Sequence, residues 1–162
     1  MDTKSLVDDY LKAGEDFAAR FDRIPREAWD YLPPLEDAWT IRQHVVHLAD
    51  SDINNFIRIK SCVAQPFSRG FVIREEEWAD NIRGWKEDLV PYVRVLGLLR
   101  RILSDFLRQV PEEDFDGKYY VRDYQGAVEN ITLRDALEMY TSHILMHEEY
   151  IGRNLEAWEK RA

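Results

Sequence analysis

The chain is poor in several residue types that mark particular protein classes. Its 162 residues hold a single cysteine, Cys62, which excludes an internal disulfide framework and a cysteine-based zinc site within one chain. Cations are outnumbered: Lys plus Arg is 22 against 31 for Asp plus Glu, a net charge of −9. A surface this acidic repels phosphate backbones, so no nucleic-acid partner is expected. Long apolar runs are also missing, and none approaches the roughly 18 residues that would cross a bilayer, so no membrane partner is expected. The opening MDTKSLVDDYLK has neither the apolar core nor the small-residue cleavage site of a signal peptide, and the expected setting is cytoplasmic. No low-complexity tract or linker divides the sequence, whose length suits one domain over residues 1–162.

Helical periodicity dominates what is there, and four long segments carry it. The first runs from about Lys4 to Phe21 on Leu6, Tyr10, Phe17 and Phe21, backed by Val7, Leu11 and Ala18. Pro25, Pro33 and Pro34 then punctuate a connector with room for one short turn around Arg26 to Tyr31. The second helix opens at Thr40, whose pairing with Gln43 three residues on is a capping box, and continues to about Cys62. Glu75 to Trp85 reads as a short helix with an acidic start. A third long helix, from about Asp88 to Val110, carries a stripe of Tyr92, Val95, Leu96, Leu99, Ile102, Leu103, Phe106 and Leu107, with Pro91 in its first turn and Pro111 at its end. Between Phe115 and Asn130 the pattern changes to either two short strands or an irregular loop. The last helix opens at Thr132 and runs to about Trp158. The expected fold class is therefore all-α, an antiparallel-type four-helix bundle with a short irregular or two-stranded insert before the last helix.

All four histidines fall on two of these helices, as His44 with His47 and His143 with His147. A spacing of four stacks His143 and His147 on one helix face, about 6 Å apart, where both can reach one ion. The residue after His143 is Ile144, so no HExxH metalloprotease motif is present. Tyr140, His143, His147, Tyr150 and Asn154 make one continuous face that overlaps the apolar arc of Leu133, Ala136, Ile144, Ile151 and Leu155. Those imidazoles accordingly point into the bundle, where they need either a metal or hydrogen bonds from core tyrosines. The second helix carries a polar stripe of His44, His47, Ser51, Asn54 and Arg58, opposite Val45, Leu48, Ala49, Ile53 and Phe56. Amphipathicity alone places that stripe in water. The alternative is a cleft against the last helix, in which one of its histidines completes a three-histidine site.

The string WTIRQHVVHLADSDINNFIRIK, followed from His143 by HILMHEEY, resembles the DinB-like superfamily and is closest to its YfiT-like branch of metal-dependent hydrolases. In that pattern a Trp-Thr helix start leads to a His, an apolar residue, Ala and Asp-Ser, here His47-Leu48-Ala49-Asp50-Ser51, and the final helix supplies His-x-x-x-His. The resemblance implies a four-helix bundle with one divalent ion held by three histidines, and residue for residue it names His47, His143 and His147. It leaves His44 outside the set, beside the ligands or on the surface. Relatives often carry a further histidine where this chain has Asp52, so a histidine-rich outer rim is expected to be missing. Counted from the helix starts, His47 lies seven residues after Thr40, and His143 and His147 lie eleven and fifteen after Thr132. The three share nearly one azimuth.

Zinc is the default ion, with nickel, iron and manganese as alternatives. The resemblance implies hydrolysis of a small-molecule substrate by an activated water. It equally implies attack by a low-molecular-weight thiol in an S-transferase or isomerase. A non-enzymatic, metal-stabilised helical interaction module is the alternative of a different class, and a homodimer is left open. Helical phase brings Tyr140, Tyr150, Asn54 and Asn154 nearest a substrate, and Asp50, one turn beyond His47, is a candidate orienter of that ligand. Trp39, Trp78, Trp85 and Trp158 are expected to pack in the core or at helix ends. Glu75, Glu76 and Glu77 are expected to form a solvated helix start, with Arg100 and Arg101 on the surface and Cys62 buried as a small apolar residue.

Overall fold

The computed structural model describes residues 2–35, 38–70, 77, 78, 81, 85–124 and 126–161, with Tyr124 described by its backbone alone. In chain order they form α1 (Thr3–Phe21), a 3-10 turn (Arg26–Ala28), α2 (Ile41–Ala64), α3 (Val90–Leu107), the short α4 (Asp114–Gly117), β1 (Tyr119–Tyr124), β2 (Ala127–Thr132) and α5 (Leu133–Glu159). The expected helix over Glu75 to Trp85 lies largely outside the described residues. Among those that are described, no helix is long and apolar enough to cross a membrane.

Both long site-bearing helices begin at capping boxes. Thr40 accepts from the Gln43 backbone N–H while the Gln43 side chain accepts from the Thr40 N–H, and Thr132 and Asp135 do the same at the start of α5. Each box satisfies two of the donors that a helix start leaves open. The changed pattern before the last helix is a two-stranded antiparallel hairpin, pairing Tyr119 with Thr132 through Tyr124 with Ala127. Its tight turn contains Gly126 at φ +83°, a backbone conformation that costs glycine little. The hairpin hands the chain directly to α5, and Tyr120 from β1 is completely buried beneath it.

α1 and α2 each pack against α3 and α5, so consecutive helices α1 and α2 stand on a diagonal of the bundle. They meet at its centre, where the Asn55 amide donates to the Tyr10 hydroxyl at 3.1 Å. The neighbours are not all antiparallel. Pairs Arg42 with Glu87, Asp52 with Arg100 and Lys60 with Phe106 climb α2 and the α3 segment in step, which makes these two parallel. α1 and α5 also run in parallel, joined by Arg20 with Glu148 and by Arg100, which donates to the carbonyls of both Tyr10 and Tyr140. Parallel neighbours cannot be joined by a tight turn, and the long segment 65–89 between α2 and α3 is the crossover that this order demands.

Two apolar clusters fill the bundle. One contains Phe17, Phe21, Trp29, Val45, Leu48, Leu96 and Ile144, and the other contains Leu6, Ile59, Leu103, Leu107, Phe115, Tyr120 and Leu137. Between them lies a polar belt centred on Arg100, expected at the surface and found 1% exposed. Its guanidinium holds Asp52 through two bonds of 2.6 and 3.2 Å. Gly14 makes room for it, since a Cβ there would come within 2.6 Å of the Arg100 Cδ. The apolar stripe of α3 is correspondingly narrower than its sequence pattern: Val93, Leu96, Leu103 and Leu107 are buried, while Val95 and Ile102 are exposed. Arg101 does lie outside, paired with Glu15 at 2.7 Å. Trp78 and Trp85, expected to pack, are 42% and 50% exposed.

Candidate metal centre

α2 and α5 run antiparallel along one side of the bundle and bring the four histidines together. The Nε2 of His143 lies 3.0 Å from the Nε2 of His47 and 3.0 Å from the Nε2 of His147. Ligand atoms of these three residues all fall within 4.8 Å of one another, a set that could hold a metal ion. The polar stripe of α2 thus faces α5 instead of water: His44, His47, Ser51, Asn54 and Arg58 are all buried, whereas Ile53, assigned to the apolar side, is exposed. Each unprotonated imidazole nitrogen offers one lone pair and each protonated one a single N–H. Hydrogen bonding therefore cannot fully satisfy three nitrogens that converge on one another. One cation accepts all three lone pairs; a tetrahedral site with bonds of about 2.1 Å places nitrogens about 3.4 Å apart, against two spacings of 3.0 Å here and a third of no more than 4.8 Å. The residues present fit a divalent ion.

Electrostatics favours the neutral imidazoles that a metal requires. Burial, helped by the adjacent rings, lowers the pKa of His47 to about 3 and of His147 to about 2. Burial lowers His143 to about 4, with the charge of Arg100 adding to it, and lowers His44 to about 4. His143 is the ligand candidate that keeps partial access to solvent.

His44 is neither remote nor on the surface. It is 5% exposed, and its Nδ1 lies 2.8 Å from the Nδ1 of His147, on the opposite side of that ring from the converging nitrogens. Trp39, read from sequence as a packing residue, covers the cluster. Its ring lies 5.4, 5.2 and 6.1 Å from those of His44, His47 and His147. The sequence did carry a signal for this contact. With Thr40 as the helix cap, Trp39 and His44 occupy the two positions whose side chains pack across a helix start.

The other sequence-chosen residues separate by place. Tyr140 is buried with its ring 6.4 Å from that of His143, and its hydroxyl accepts from Arg58 at 2.8 Å. Tyr150 is partly exposed and stacks on His44 at 5.7 Å. Asn154 donates to the Trp39 carbonyl at 2.6 Å, and Asn54 donates to the Asp50 carbonyl at 2.8 Å, so both amides are engaged with backbone. The Asp50 carboxylate is half-buried, which raises its pKa to about 6. Asp52 is five residues from His47, about 140° round the helix, and faces Arg100 in the core. Asp52 therefore belongs to the polar belt around Arg100, not to a rim of this site.

Three imidazoles able to hold a metal ion thus converge between the second and last long helices of a four-helix bundle, and comparison with known proteins gives the family. Residues 10–151 match the DinB superfamily, and the chain belongs to that family. It is 29% identical over 152 residues to the "putative metal-dependent hydrolase YfiT" of Bacillus subtilis, covering 92% of this chain and 84% of that protein. A "putative metal-dependent hydrolase" of Bacillus licheniformis is 31% identical over 131 residues, covering 75% and 72%. The solved structure of Bacillus subtilis YfiT, described as "a probable metal-dependent hydrolase with an unusual four-helix bundle topology", superposes with a TM-score of 0.81 at 22% identity, over 93% of this chain and 83% of that one. That likeness establishes the bundle fold with its hairpin before the last helix.

Proposed function

We propose that this protein is a metal-dependent hydrolase in which His47, His143 and His147 hold one divalent ion. The observation that carries the reading is the convergence of three Nε2 atoms from two helices. The relatives named as metal-dependent hydrolases support it. Three neutral ligands leave the ion its full charge and a position for substrate, the arrangement of catalytic rather than closed structural sites. Zinc is the ion expected first, with nickel, iron and manganese as alternatives.

A divalent ion here supplies Lewis acidity, which polarises a carbonyl or draws the pKa of water toward about 7. The chain's own residues do the rest. Burial keeps His47 and His147 unprotonated. Trp39 covers the rings on one side and excludes water there. Its backbone is fixed in turn by Asn154. Tyr140, oriented by Arg58, stands beside His143.

The test is turnover in a screen of ester and amide substrates, run with and without chelator, together with a low-molecular-weight thiol plus electrophiles. Hydrolysis that disappears with the metal and returns with added zinc is expected. Turnover only in the presence of thiol would reassign the site to thiol transfer, and hydrolysis that survives complete metal removal would overturn the proposal.

A further inference from the structure

We infer that His44 is a positioning residue for this centre: its Nδ1 accepts the Nδ1–H of His147 and thereby selects the His147 tautomer whose Nε2 is free to ligate. The inference rests on the reading of His47, His143 and His147 as a metal site.

Two imidazole nitrogens 2.8 Å apart must share one proton. Two bare lone pairs, or two N–H groups, would repel at that distance. Only one placement of the proton agrees with metal binding. If His44 donated, the neutral His147 would carry its own proton on Nε2, the atom 3.0 Å from His143 Nε2, and could not ligate through it. If His147 donates, its Nε2 is bare, and His44 carries its own proton on its Nε2. Ligating histidines ordinarily give this second N–H to a carboxylate, a carbonyl or water. Here the acceptor is a neutral imidazole, which leaves the charge of the centre to the ion alone.

The ring of His44 is held for this purpose by packing on both of its neighbours in space. Trp39 lies 5.4 Å from it across the helix start, and Tyr150 stacks on it at 5.7 Å with planes 27° apart. Both members of the bond are excluded from water, His44 at 5% and His147 at 4% exposure, so no solvent molecule substitutes readily if the acceptor is removed. His44 is not a fourth ligand, because the converging set consists of His47, His143 and His147.

The experiment compares the wild type with His44→Asn, whose amide oxygen falls near the position of Nδ1, and His44→Leu, which fills the space without an acceptor. Zinc affinity is measured by competition with a chromophoric chelator, helicity is checked on the metal-free variants, and imidazole nitrogen resonances are recorded for zinc-loaded wild type. His44→Leu is expected to bind zinc about 10- to 100-fold more weakly, and His44→Asn to stay within about threefold of wild type. His147 is expected to show a protonated Nδ1 and His44 a protonated Nε2. Equal zinc affinity in His44→Leu and wild type, or a His147 proton on Nε2, would overturn the inference while leaving the metal site standing. A wild type that binds no zinc, nickel, iron or manganese would overturn the metal reading and this inference with it. If His44→Leu does not fold, the tautomers of the wild type decide.

Discussion

At the scale of residues, desolvation governs the four histidines. Each has a folded pKa well below its value in an unfolded chain, about 2 to 4 against an ordinary 6.5. Between those values the unfolded chain binds more protons than the folded one, so acid favours unfolding. In the metal-free protein the histidines' contribution to stability is therefore expected to be complete above about pH 6.5 and to be lost progressively as pH falls from there through about 4 to 2. Denaturant midpoints measured from pH 7.5 to 4.5 check this, and a variant lacking all four histidines should show a flatter profile. A second prediction concerns Tyr140. Its hydroxyl accepts a bond from the buried Arg58 guanidinium, and bonds to charged groups contribute about 1.5–3 kcal/mol. Tyr140→Phe is expected to lower stability by about that amount while leaving metal content unchanged, as chemical unfolding and elemental analysis would show.

At the scale of elements, what could be read in the sequence was what neighbouring residues decide. The capping boxes at Thr40 and Thr132 are local, and both helices begin where their sequence says. Helical phase counted from those caps sets all four histidines on similar arcs and does not separate His44 from His47; it was the family resemblance that named His47, His143 and His147, which the structure brings together. The polar stripe of α2 was ambiguous for the opposite reason. Amphipathicity assigns polar side chains to water unless a partner is known, and the partner of Arg58 lies 82 residues away. Arg100 was misplaced in the same way, because Asp52 is 48 residues distant. Helix direction was equally illegible, since a long crossover can return the chain to either sense. The polar belt yields its own prediction. Arg100 is pinned by bonds to Asp52 and to the carbonyls of Tyr10 and Tyr140 and cannot withdraw from a new methyl group at position 14. Gly14→Ala is expected to destabilise the fold by about 1–3 kcal/mol despite its favourable helix propensity, measured by urea unfolding.

At the scale of the whole molecule, the bundle has two apolar clusters that do not depend on the histidines for their packing. Stripping the metal is expected to abolish turnover while far-ultraviolet circular dichroism keeps its helical signal. Helicity that collapses with the metal would mark the ion as structural. The central claim is that one ion sits among three named imidazoles, and the most direct measurement is the metal content of untagged protein, wild type beside His143→Ala. About one divalent ion per wild-type chain and little in His143→Ala is the expected result. A wild type that takes up no divalent ion, or a His143→Ala variant that keeps a full complement, would contradict it.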